Sequence, residues 1–225
     1  MCGIIAYAGT EPVTPILMSG LRTLEYRGYD SVGLGVQNGS GVITVTRALG
    51  VDQLAEAVAG HSSNDDDSPT VGIAHTRWAT HGGVTILNAH PHTSADGRIA
   101  VVHNGQLTNY WAFRRKLERG GHRFMSNCDS ELIAVYIADR MNCGDDLEAA
   151  MNRSVGELDG VFTYVVATAD TLGMAKDVMA AKPMVLYESD DFVALASEEV
   201  AIRSVFPHEI DTYDPYEGEV MVWQS

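Results

Sequence analysis

Met1-Cys2-Gly3-Ile4-Ile5-Ala6-Tyr7-Ala8-Gly9 opens the chain, a short apolar run closed by glycine, and its reading decides the fold. A run of this kind bounded by a turn residue starts a domain as a buried strand, which puts Cys2 at a strand end. Cys2 is small enough for the initiator Met1 to be trimmed, and trimming leaves a thiol and a free α-amine on one residue. An α-amine titrates at about 7.7 to 8.0 and a thiol at about 8.5, so the amine can take the thiol proton directly or through a water. That is nucleophilic catalysis with its own base. On Cys2 alone a packed apolar thiol is the simpler account, and the rest of the chain has to decide.

Thr10-Glu11-Pro12 reads as a helix start with Thr10 as N-cap, followed by Leu17, Leu21 and Leu24 at helical spacing and a stop near Tyr26-Arg27-Gly28. Residues 31–37 and 42–49 are β-rich runs joined by Asn38-Gly39-Ser40-Gly41, a strong hairpin signal. A short helix is expected over 52–59, then an exposed loop at 61–69 whose acidic Asp65-Asp66-Asp67 reads as an insertion. Strands are expected at 71–75, 99–103, 161–168, 184–187, 192–196 and 219–223, and helices at 108–119, 130–140, 145–155 and 198–206. Strands, then helices, then strands again predict an α+β or layered fold with largely antiparallel sheets. No internal repeat, GxGxxG or GxxxxGK[ST] occurs.

The chain has 225 residues, enough for one large domain or two small ones. Thirty Asp and Glu against fifteen Lys and Arg give a net charge of -15. Such a field repels phosphate backbones and anionic lipid, which argues against nucleic acid and membrane partners. Most of the acid excess lies C-terminal to Asp139, and Lys116, Lys176 and Lys182 are the only lysines. Three cysteines, Cys2, Cys128 and Cys143, without a CxxC pair fit a reducing compartment. No run of 18 apolar residues and no signal-peptide pattern is present, so the expected location is the cytoplasm.

Four further segments carry chemistry. Arg27-Gly-Tyr-Asp-Ser31 offers a cation that can brace the chain start. His75-Thr-Arg-Trp-Ala-Thr-His-Gly82 gathers Arg77, Trp78, Thr80 and His81: a guanidinium for a carboxylate, an aromatic wall and a hydroxyl. Asn104 and Gly105, expected just past a strand end, supply a side-chain amide and a backbone N–H, the donor pair an oxyanion hole needs. Asp129, expected just before a helix, can hold an α-ammonium. Five histidines, His75, His81, His90, His92 and His103, cluster in sequence, but neither HExxH nor a deaminase pattern is present, so structural histidines are favoured over a metal. Cys128 and Cys143 are expected to be packed thiols, and no cofactor is expected.

Taken together, Cys2-Gly-Ile-Ile, Leu24-Glu-Tyr-Arg-Gly-Tyr-Asp-Ser31, the His75 to Gly82 segment, Asn88-Ala-His-Pro-His92, Val102-His-Asn-Gly105 and Asp129-Ser-Glu131 resemble the class II glutamine amidotransferases. They are most similar to the glutaminase domain of glucosamine-6-phosphate synthases. The resemblance spans essentially the whole chain and implies one glutaminase domain over 1–225 with an N-terminal-nucleophile hydrolase fold, four αββα layers around two stacked antiparallel sheets. It implies hydrolysis of L-glutamine to glutamate and ammonia through a thioester on Cys2. By motif, Asn104 and Gly105 would form the oxyanion hole, Arg77 would bind the substrate carboxylate and Asp129 its amino group. Trp78, Thr80 and His81 would line the pocket, and Arg27 would support the nucleophile. The ammonia would pass to a synthase subunit or fused domain, and the family admits homo-oligomers. Two departures stand out: no sugar-isomerase region follows, and the stretch from Ala181-Lys-Pro-Met-Val185 to Tyr216-Glu-Gly-Glu-Val220 resembles the amidotransferase parts of glutamate synthase and amidophosphoribosyltransferase. A glutamine-binding module without turnover, and an N-terminal-nucleophile amidase for another amide, are the rival readings.

Overall fold

The structure, a computed structural model, describes residues 1–60, 68–80, 82–206 and 209–224. The acidic insertion expected at Asp65 to Asp67 and the pocket residue His81 lie outside the described residues. Strands β1 (Gly3–Ala8), β2 (Ser31–Gln37), β3 (Ile43–Ala48) and β4 (Val71–Arg77) lie in one sheet. Strands β5 (His92–Thr93), β6 (Ala100–Leu107), β7 (Gly160–Ala167) and β8 (Thr171–Lys176) lie in the other. Of the last three strands, β9 (Val185–Glu188) and β10 (Val193–Ala196) return to the first sheet, and β11 (Val220–Gln224) to the second. The orders are β3-β2-β4-β1-β10-β9 and β11-β8-β7-β6-β5. Every pairing between these strands is antiparallel.

Alternation along the strands explains the layers. In β1, Ile4, Ala6 and Ala8 point into a core shared with Ile73, Val102, Val165 and Met174 of other strands, while Ile5 and Tyr7 point the other way. Those outward residues are covered by α1 (Val13–Leu24), α2 (Val51–Ala59) and α6 (Glu199–Arg203). On the far side, Phe162, Tyr164 and Val166 of β7 pack under α3 (Tyr110–Arg119), α4 (Asp129–Asn142) and α5 (Leu147–Glu157). Three apolar cores separate four layers, helices, sheet, sheet, helices, which is the predicted αββα order.

Several boundaries differ from the sequence reading, each for a local reason. Helix α1 begins at Val13, not at a Thr10 cap, because the Val13 N–H finds the Pro69 carbonyl at 2.8 Å. Strands β4 and β6 run on to Arg77 and Leu107, so Asn104 and Gly105 sit inside a strand and not beyond one. Strands β5 and β8 were not expected; β8 is buried along its whole length and shows no alternation to read. Asp129 is the first residue of α4, and Cys143 is exposed while Cys128 is buried.

Candidate active site

At one end of the sandwich the layer between the sheets turns from apolar to polar. Pleat parity puts Cys2 on the Ile4 face of β1, His75 and Arg77 on the Ile73 face of β4, and Asn104 on the Val102 face of β6. All four therefore look into the same inter-sheet space.

Cys2 is held by its main chain. Its carbonyl accepts from Arg27 Nε at 2.9 Å and from Asn104 Nδ2 at 3.2 Å. Its Sγ accepts the Trp78 N–H at 3.2 Å. The neighbouring Gly3 N–H donates to Thr76 Oγ1, and the Ile4 N–H to Ser197 Oγ. Arg27 is buried, and its Nη1 is paired with Glu198, which also takes the Tyr26 hydroxyl. Ser197 Oγ in turn accepts from Asn104 Nδ2 at 3.1 Å. Ser197 and Glu198 were not singled out in the sequence; their signal was the end of β10, whose neighbour in the sheet is β1.

Gly105 offers a backbone N–H as the other donor expected from the sequence. Its partner across β7 is Phe162, whose N–H and carbonyl are both used on the opposite side, by Asp177. The Gly105 N–H must then point away from β7, past the short β5. Its neighbours on that side are occupied: His103 N–H donates to His90 Nδ1 at 3.3 Å and Leu107 N–H to Asp129 Oδ2 at 2.9 Å. Gly105 has φ +143, and a Cβ there would stand 2.0 Å from the Val161 carbonyl oxygen, so only glycine fits.

Two openings meet at Cys2. An outer cavity of about 460 Å³ is lined by Arg27, Asn104, Gly105, Gln106 and Lys182 among others. An inner cleft of about 30 Å³ runs on to Arg77, His103, Cys128, Asp129 and Ser130. Trp78 and Thr80 line both. Arg77 donates to the carbonyls of Gly83 at 3.1 Å and Gly82 at 3.4 Å. Asp129 is 3% exposed, its carboxylate fixed by the Leu107 N–H. A larger cavity of about 590 Å³ lies at the other strand ends, lined by Asp96, Arg98, Asp170 and Gln224, and holds neither thiol nor imidazole.

Burial raises the Cys2 thiol pKa, while the Trp78 N–H, the amine at the chain start, Arg77 and Lys182 pull it down. The four described histidines of the motif run are held neutral. Burial drives His75 down to about 3, and lowers His90, His92 and His103 as well. His90, His92 and Cys128 place three ligand-type atoms within 4.8 Å of one another. Because His90 Nδ1 accepts the His103 N–H, its proton sits on Nε2, the atom facing Cys128 Sγ at 3.6 Å. A ring nitrogen that carries a proton is no ligand, so the tautomer argues against a cation there.

A thiol next to the chain start, gripped at its carbonyl and sharing a cavity with the Asn104 amide and Gly105 inside an αββα sandwich, matches an N-terminal-nucleophile hydrolase of the class II amidotransferase type. The family model described as glutamine amidotransferase domain matches residues 75–204, more than half of the chain, and the chain belongs to this family. It is 41% identical over 212 residues to the glutamine–fructose-6-phosphate aminotransferase (isomerizing) of Mycolicibacterium paratuberculosis, covering 92% of this chain and 33% of that one. The enzyme of the same name from Thermus thermophilus is 42% identical over 199 residues, covering 86% and 31%. The chain thus spans about a third of the length of these relatives. Among solved structures, glutamine phosphoribosylpyrophosphate amidotransferase from B. subtilis superposes with a TM-score of 0.81 at 24% identity, covering 98% of this chain and 47% of that one. A glutamine aminotransferase class-II domain protein from Silicibacter pomeroyi gives 0.63 at 18% identity, covering 98% and 94%. No helix among the described residues is long and apolar enough to cross a membrane.

Proposed function

We propose that residues 1–225 form one glutaminase domain that hydrolyses L-glutamine and hands the ammonia to a synthase subunit or domain. The carrying observation is the grip on Cys2, whose carbonyl is fixed by Arg27 and Asn104 and whose Sγ rests on the Trp78 N–H. Removal of Met1 frees the amine of Cys2. That amine accepts the thiol proton, and the thiolate attacks the substrate γ-carbonyl. Asn104 Nδ2 and the Gly105 N–H then carry the negative charge on the carbonyl oxygen. As the C–N bond breaks, the ammonium returns its proton to the leaving nitrogen, which departs as ammonia. Water adds to the thioester with the same amine as base, and glutamate leaves.

Recognition of an amino acid end follows from the inner cleft. Arg77, now spending its N–H groups on neutral carbonyls, pairs with the substrate α-carboxylate, and buried Asp129 with its α-ammonium. Trp78 and Thr80 wall the side chain between these ends and Cys2. The inner cleft, about 30 Å³, has to widen to admit these groups. Free Cys2, Cys128 and Cys143 suit the reducing cytoplasm. The test is glutamate release from glutamine by the Met1-processed chain against its Cys2→Ala variant, with simple amides in parallel. Turnover by the variant, or equal turnover of simple amides, would overturn the reading.

A further inference from the structure

Lys182 has no part in the scheme above, yet its place is tightly fixed. Thr163 of β7, the register partner of Asn104, donates its hydroxyl to the Lys182 carbonyl at 2.9 Å. The next residue, Pro183, restricts Lys182 to extended backbone, and Met184 after it is fully buried in the core between the sheets. The backbone of Lys182 is thus pinned across the end of the inter-sheet space, and the residue lines the outer cavity beside Cys2, Asn104 and Gly105. No ion pair to Lys182 is formed among the described residues, in contrast to Arg27, which is matched by Glu198.

The other cations around Cys2 are committed during the reaction. Arg27, on the short turn after α1, is neutralised by Glu198 and bonds the Cys2 carbonyl instead of the sulfur. Arg77 of β4 meets the substrate carboxylate in the proposed complex. The chain-start amine shuttles the proton. Of the remaining titratable groups at the inner cleft, His90 and His103 are neutral, and Asp129 at the start of α4 takes the substrate ammonium. Among the described residues at this cavity, Lys182 is the cation without an ion-pair partner and without a role in the scheme.

We propose that Lys182 is a positioning residue of the glutaminase reaction, acting through Cys2: its ammonium keeps the nucleophile ionised after glutamine has covered Arg77. The inference rests on the glutaminase reading. In its support, the Lys182 charge is among the influences that lower the Cys2 thiol against the effect of burial. Removing a cation favours the protonated thiol, so the acid limb of reactivity moves to higher pH.

The experiment compares Met1-processed wild type, Lys182→Met and Lys182→Arg in two assays across pH 5 to 9. One is kcat/KM for glutamine. The other is iodoacetamide alkylation of Cys2 alone, followed by peptide mass spectrometry, which needs no turnover. Lys182→Met should move the acid limb of both profiles up by about one unit, a loss of roughly tenfold below the limb. Lys182→Arg should restore the wild-type limb, and thermal midpoints should stay equal across the three. Superimposable alkylation profiles for wild type and Lys182→Met would overturn the role of Lys182. A shift that Lys182→Arg does not restore would overturn it too. A wild type that alkylates normally but does not turn over glutamine defeats the glutaminase reading instead, while the alkylation limb still decides on Lys182.

Discussion

His75 Nε2 lies 3.0 Å from Asn104 Oδ1, a hydrogen bond that runs from β4 in one sheet to β6 in the other. Its consequence is the orientation of the Asn104 amide. With His75 donating to Oδ1, the amide nitrogen faces Cys2 and Ser197. If Asn104 is the oxyanion donor proposed above, His75→Ala should lower kcat about 10- to 100-fold with a smaller change in KM, because the amide is misplaced while Arg77 and Asp129 stay. His75→Gln, which can still donate, should recover part of the loss. Steady-state glutamine hydrolysis checks both.

Gly105→Ala should cost stability and activity together. The φ of +143 and the 2.0 Å approach to Val161 leave no room for a methyl group. A destabilisation on the order of 2 kcal/mol or more is expected from the strained backbone. Urea denaturation would reveal it, and an unaltered midpoint with full turnover would contradict the geometry drawn for the oxyanion donor.

Asp129→Asn separates charge from hydrogen bonding. The amide oxygen can still accept the Leu107 N–H, so the start of α4 should hold. Without the charge, KM for glutamine should rise by about 10-fold or more, as a charged hydrogen bond of about 1.5–3 kcal/mol is lost, while kcat falls less.

Acid should unfold the protein in two stages. His75, with its pKa near 3, and His90, His92 and His103, all lowered, bind protons more readily in the unfolded chain. Their neutral burial is fully favourable above about pH 6.5 and is eroded as pH falls below it, by about 1.4 kcal/mol per unit for each. Asp96, Asp139 and Glu198 are held below their usual range, with hydrogen bonds to Ser94 and Arg98, to Arg140 and His122, and to Tyr26 and Arg27 outweighing any cost of burial. Their contribution is present above about pH 4 and is lost as pH drops further. Thermal midpoints measured from pH 8 to pH 3 should fall from about 6.5 downward, and a flat curve to pH 5 would contradict the histidine assignment.

Much of the fold was legible where strands have one polar face or a distinctive turn. The Asn38 to Gly41 hairpin is of that kind, and β1, buried on both faces, was legible instead as an apolar run closed by Gly9. Strand β8 escaped because both of its faces are buried, so Thr171 to Lys176 offers no period. The ends of β4 and β6 escaped for a related reason. Arg77 and Asn104 read as loop residues by polarity, although they complete strands whose inner faces turn into the site. Cys2, Asn104, Gly105, Arg77 and Asp129, the residues to which the proposal gives roles, could be singled out from motifs, and the structure brings them around one cleft. Lys182, Ser197 and Glu198 lie in stretches that the resemblance covered without giving them a role, since what joins them to Cys2 is the position of β10 beside β1 and of Thr163 beside Asn104.

Strand β1 lies between β4 and β10, so Ile5 finds its sheet partner in Ala196, a residue from the far part of the sequence. Ser197 and Glu198, which fix Asn104 and Arg27 around Cys2, come later still. The grip on the thiol is therefore a long-range product of the sheet, complete only once β10 has docked beside β1. A chain cut before β10 would carry the same cysteine without Ser197 and Glu198 to fix Asn104 and Arg27 around it.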